Sequence, residues 1–126
     1  MEVDAYTLLK KAGFDFKYEP DTFTLWEGFR PERLGLVYGP KSKKKRILTN
    51  KRHKKIDMTY TPDFKIIKGK NIIYMETKGF PNDSFPIKRK MFLGLLESKN
   101  DGNTYHFLEP VNKKQVLECI NLINEL

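Results

Sequence analysis

Two short runs in the chain carry residue types suited to hydrolysis: Thr61-Pro62-Asp63-Phe64 and Glu76-Thr77-Lys78-Gly79. Twelve residues separate Asp63 from Glu76. If Gly69-Lys70 form the centre of a tight turn, each step back along the first strand matches a step forward along the second. Lys68 then faces Asn71, Phe64 faces Met75 and Asp63 faces Glu76. Directly opposed residues have Cβ atoms about 4.5–5.5 Å apart, so two carboxylates there repel each other. A divalent cation reverses that sign, and Mg²⁺ is commonly held by one or two carboxylates with water and phosphate oxygens. Strand alternation puts Glu76 and Lys78 on one face. From there the Lys78 ammonium can orient or deprotonate an attacking water, or stabilise charge on a scissile phosphate. An acid and a lysine at this spacing are often no more than a surface ion pair. Here Pro62-Asp63 closes one strand, and Gly79 breaks another after the apolar run Ile72-Ile73-Tyr74-Met75, so several constraints agree.

The elements that must position these groups are legible from periodicity. Residues 2–12 read as a helix, with Val3, Tyr6 and Leu9 at helical spacing and Gly13 as its C-cap. Phe14, Phe16 and Tyr18 alternate with Asp15, Lys17 and Glu19, the pattern of a half-buried strand. Phe23 to Trp26 forms a second extended piece. Residues 27–46, punctuated by Gly28, Pro31, Gly35, Gly39 and Pro40, read as loop. Strands follow around Met58 to Tyr60, Phe64 to Ile67 and Asn71 to Thr77. Ile87, Met91, Phe92, Leu95 and Leu96 mark a helix, Asp101-Gly102-Asn103 a turn, and Tyr105 to Leu108 a strand. Residues 112–125 read as a final helix, its stripe of Val116, Ile120 and Ile123 broadened by Leu117. This order predicts an α/β sandwich around a mixed sheet.

Composition bounds the partners. A chain of 126 residues fits a single domain, here 1–126 with a basic loop or hairpin insertion at about 28–55. Its 24 Lys and Arg against 16 Asp and Glu give a net charge of +8, which points to a polyanion, nucleic acid before an anionic membrane. Lys41, Lys43, Lys44, Lys45 and Arg46, then Lys51, Arg52, Lys54 and Lys55, place nine of those cations within fifteen positions. A basic run is often a solvated face; the functional alternative is a clamp on phosphates. Few aromatics or amides are interleaved, so backbone binding without base reading is expected. Cys119 is the only cysteine, which excludes a disulfide framework, argues against a cysteine-based zinc site, and fits a reducing cytosol. Its apolar surroundings make it a core residue. No apolar run approaches the roughly 18 residues of a membrane span, and no signal architecture opens the chain. The expectation is a cytoplasmic protein with no membrane partner.

Pro62-Asp63 and Glu76-x-Lys78 in this element order resemble the PD-(D/E)XK nuclease superfamily. Within it, the runs Tyr60-Thr61-Pro62-Asp63-Phe64 and Glu76-Thr77-Lys78-Gly79 look most like the phage endonuclease I Holliday-junction resolvases. Glu2, Gly13, Phe16, Tyr18 and Glu19 stand at the spacing of that family's first helix and strand, and residues 87–92 resemble the basic helix start of related small phage nucleases. The match covers residues 2–26 and 56–96. The resemblance implies a restriction-endonuclease-like αβββαβ core and a DNA endonuclease using Mg²⁺ or Mn²⁺. In it Asp63, Glu76 and the Thr77 carbonyl hold metal, Lys78 assists the water, Glu2 completes the site, and Lys88 and Lys90 join the basic clusters on phosphate. It further implies branched or Holliday-junction DNA as substrate, a homodimer, and, for a phage protein, the host cytoplasm. The alternatives are a transposon-end or restriction-type DNA cleaver, a non-catalytic nucleic-acid-binding module on the same fold, and a basic interaction domain.

Overall fold

A computed structural model describes residues 2–29, 35–38, 45–48, 56–77 and 85–126, of which 35–38 and 45–48 by backbone alone. The elements run α1 (Glu2–Lys11), β1 (Asp15–Tyr18), β2 (Phe23–Trp26), β3 (Gly35–Tyr38), β4 (Lys45–Leu48), β5 (Met58–Tyr60), β6 (Phe64–Lys68), β7 (Asn71–Met75), α2 (Phe85–Glu97), β8 (Thr104–Leu108) and α3 (Lys113–Asn124). The chain divides into two compact units, Met1–Phe23 with Tyr60–Leu126, and Thr24–Thr59.

The first unit is built on a four-stranded sheet in the order β1-β6-β7-β8. β1, β6 and β7 pair antiparallel, while β8 lies parallel to β7, so the sheet is mixed. The β6–β7 register is the one counted from the sequence, with Lys68 opposite Asn71 and Phe64 opposite Met75. The connection can be this tight because Gly69 takes a φ of 61°, a conformation only glycine adopts without a Cβ clash.

Cross-strand partners share a face. Phe16, Ile66 and Ile73 align on one face, as do Phe64 and Met75. That face packs against Ala5 and Leu9 of α1 and Val116, Ile120 and Ile123 of α3. Asn112 caps α3 by accepting from the Gln115 amide, and Lys68 Nζ donates to the Ile123 and Asn124 carbonyls at its other end, each at 2.9 Å. A cation there offsets the negative end of the helix dipole. On the opposite face Phe92 of α2 is fully buried among rings. Its centroid lies 5.0 Å from Tyr60, 5.1 Å from Phe23, 5.2 Å from Phe107 and 5.6 Å from Tyr74. Tilted and edge-on aromatic pairs of this kind contribute about 0.5–1.5 kcal/mol each beyond their buried area.

The helices differ in detail from the sequence pattern. In α1 the buried stripe is Ala5-Leu9, four residues apart, while Val3 and Tyr6 are exposed. In α3 Leu117 is exposed and adds nothing to the stripe. The helical spacing that marks α1 is thus present without fixing which face is buried, and the expected broadening of the α3 stripe by Leu117 is corrected. In the second unit β2 pairs with β5, the outer residues Phe23 and Tyr60 of these strands counting with the first unit. The segment read as loop from 27 to 46 holds two strands instead, β3 and β4, paired antiparallel with Leu36 opposite Ile47. Glycine and proline on either side had masked runs only four residues long. Among the described residues no helix is long and apolar enough to cross a membrane.

Candidate active site

The hairpin that carries Asp63 and Glu76 is the centre of the sheet. β6 begins one residue after Asp63, and β7 ends one residue before Glu76. The Glu76 amide continues the parallel pairing by donating to the Leu108 carbonyl at 2.9 Å. Asp63 is held from the other side, its carbonyl accepting from the Glu19 amide at 2.7 Å. Glu19 makes that bond from a φ of 47°. A non-glycine residue in the left-handed region is strained, and such strain tends to collect at functional positions.

Both carboxylates are withdrawn from water, Asp63 at 0% and Glu76 at 3% exposure, and Thr77 beside them is also buried. Asp63 Oδ2 accepts two hydrogen bonds, from the Thr77 amide and the Thr77 hydroxyl, each at 2.8 Å. Asp63 Oδ1 is buried and accepts none. Glu76 Oε2 accepts from the Tyr60 hydroxyl at 2.5 Å. Burial and that bond push the Tyr60 phenol far above its usual range, with the charges of Glu76 and Asp63 adding to both. A proton is therefore kept on Tyr60, where it serves as a fixed donor to Glu76.

Glu2 opens α1 and accepts from the Tyr18 hydroxyl at 2.7 Å. That bond, foremost, raises the Tyr18 phenol well above its ordinary value, and the charges of Glu2, Glu19 and Asp63 contribute. Tyr18 thus feels acids from α1, from the end of β1 and from the start of β6. Glu2, Val3, Tyr6, Tyr18 and Phe64 line a hollow of about 290 Å³. Among the described residues no three acidic, histidine or cysteine side chains converge as one metal-binding group. Asp63, Glu76 and Thr77 are brought together, while Glu2 is engaged by the Tyr18 hydroxyl.

Lys78 lies outside the described residues, as do Lys41, Lys43, Lys44, Lys51, Arg52, Lys54 and Lys55. Lys45 and Arg46 fall in β4, described by backbone alone. Lys88 and Lys90 lie on α2, half-buried and exposed respectively. Arg89 between them is tied to Glu109 at 2.8 Å and lies over the Phe85 ring at 4.9 Å. Sequence reasoning missed the tyrosines. Tyr60 stands three residues before Asp63 and Tyr18 one before Glu19, but nothing in the spacing distinguishes a carboxylate donor from a packing ring.

Charge is divided sharply between the two units. Eleven of the 24 Lys and Arg, but only three of the 16 Asp and Glu, lie in Thr24–Thr59; thirteen of each sign remain in the other unit. The whole formal charge of +8 therefore belongs to the second unit. Compared with protein-family models, curated proteins and solved structures, the chain shows no match to any of them.

Proposed function

We propose that the chain is a metal-dependent DNA endonuclease of the PD-(D/E)XK type, hydrolysing phosphodiester bonds at Asp63, Glu76 and Lys78. The observation that carries this reading is the pair of buried carboxylates closing the β6–β7 hairpin, with Asp63 Oδ1 left without a hydrogen bond. Burying a carboxylate oxygen without a partner is costly, and such atoms call for an explanation. A cation is the simplest one, and the donor set suits a hard divalent ion. Asp63 and Glu76 would hold it, with the Thr77 carbonyl as a further oxygen. When bound, Mg²⁺ or Mn²⁺ supplies Lewis acidity toward a phosphate.

The chain's own groups do the rest. Thr77 fixes Asp63 through two donors, and Tyr60 fixes Glu76 through one. Both carboxylates are thereby oriented before any ligand arrives, which is what a site needs to act without reorganisation. Lys78 follows Thr77 directly and is assigned the attacking water. Leaving out β2 to β5, the elements run αβββαβ followed by α3, with β8 parallel beside β7; this supports a restriction-endonuclease-like core. The +8 unit supports a polyanionic substrate. Branched DNA and a homodimer extend the same reading.

The test is incubation with Mg²⁺ and a panel of linear, nicked, branched and single-stranded DNAs, with a chelator control. Cleavage that stops in chelator is expected. Undiminished cleavage in chelator overturns the metal mechanism, and binding without cleavage points to a non-catalytic nucleic-acid-binding module.

A further inference from the structure

Trp26 and Phe29 in the Thr24–Thr59 unit are 56% and 49% exposed, and their rings stack at 27° with centroids 6.4 Å apart. They line a hollow of about 270 Å³ together with Glu27, Met58 and Ile56, the last 85% exposed. The Asp57 carboxylate accepts from the Gly28 amide and so ties down the backbone next to Phe29. Single exposed apolar residues are ordinary, but here Trp26, Phe29 and Ile56 are grouped around one hollow.

The unit's charge identifies the occupant. The same 36 positions, residues 24–59, carry the entire +8 of the chain. An apolar platform within a polycationic unit suits a ligand with flat π-faces on a polyanionic backbone, which is a nucleic acid. Glu27 in the hollow repels phosphate and can only accept hydrogen bonds. The hollow therefore suits a base with its amino and imino groups, while phosphates are left to the cations. In a continuous duplex the base faces are covered by their neighbours, so the platform needs a base that is out of the stack.

We propose that the Trp26–Phe29 platform stacks an unpaired nucleobase, so that the protein binds single-stranded or locally unpaired DNA in preference to continuous duplex. The inference rests on the nucleic-acid partner proposed above but not on cleavage.

Trp26 is the only tryptophan, so its emission reports this site alone. The full chain in chelator is titrated with three probes of equal length: oligothymidylate, an abasic deoxyribose-phosphate strand, and a blunt duplex. Oligothymidylate should quench Trp26 and bind about tenfold more tightly than the abasic strand, the scale of one stacked base. Phe29→Ala should lose that margin while binding the abasic strand as before, and Trp26→Tyr should keep it. Equal affinity and equal emission for the base-bearing and abasic strands overturn the proposal without any variant, as does equal quenching by the duplex or a failure to bind any probe. Duplex cleavage in Mg²⁺ alongside base-independent binding would leave the nuclease reading standing and remove only this one.

Discussion

The two units of this chain solve opposite electrostatic problems. The unit formed by Met1–Phe23 and Tyr60–Leu126 has equal numbers of acids and bases, yet it buries two carboxylates, one next to each strand of the β6–β7 hairpin. The Thr24–Thr59 unit carries eleven cations against three acids, a concentration that self-repulsion penalises. Neither arrangement is explained by stability. Each would become favourable with the ligand of opposite sign that we propose: a small cation for the buried acids, a polyanion for the basic unit. A nuclease needs both, and the contrast is what makes the proposed function specific.

The comparison breaks most visibly at the acids. Asp63→Asn and Lys78→Ala should each lower DNA cleavage by about 10²-fold or more, measured as initial rates in Mg²⁺, while DNA binding persists. Wild-type rates in either variant would remove the assignment of the site. Next in size is the packing behind the hairpin. Phe92→Ala empties the ring cluster over the sheet and should cost about 3–5 kcal/mol in urea unfolding. A loss under 1 kcal/mol would mean that α2 does not anchor this face.

How much of this was legible beforehand depends on the range of the interactions involved. The Phe64–Met75 register followed from counting outward from Gly69-Lys70, because a two-residue turn leaves one register. Asp63 and Glu76 lie one residue beyond the last pair of that register. The helix α1 is legible from its spacing, but its buried face is not: the small Ala5 is buried while the larger Val3 and Tyr6 are exposed. The strands β3 and β4 were read as loop because Gly35, Gly39 and Pro40 surround apolar pairs too short to show alternation. The tyrosine donors were not legible at all. Tyr60 reaches Glu76 across 16 positions, and Tyr18 reaches Glu2 across another 16, so only the fold brings them together.

The basic unit is tested by salt. Neutralising Lys43, Lys44 and Lys45 together should reduce the slope of log affinity against log salt by roughly 3 for duplex DNA, following counterion release. An unchanged slope returns these lysines to a solvated face, and a loss confined to junctions assigns them to branched shape. The smallest effect is on the alkaline limb. Burial and carboxylate bonds raise the Tyr60 and Tyr74 phenols in the folded state. A raised folded-state pKa contributes stability that is complete below the unfolded value, about pH 10, and is lost as pH rises beyond it. Urea stability should accordingly fall above about pH 10, and Tyr60→Phe should flatten that fall. An identical alkaline profile in Tyr60→Phe would contradict a folded-state Tyr60–Glu76 bond.

The central claim, that the buried carboxylates Asp63 and Glu76 form a divalent-metal site, is tested most directly by melting the protein with and without Mn²⁺ and no DNA. Binding to the folded state alone contributes about 2.7 kcal/mol at a hundredfold excess over Kd, so the wild-type midpoint should rise with Mn²⁺ concentration. Asp63→Asn should melt higher than wild type without metal, since a like-charge repulsion is relieved, and should show little further rise with Mn²⁺. Equal Mn²⁺-dependent rises in the two proteins would contradict the account.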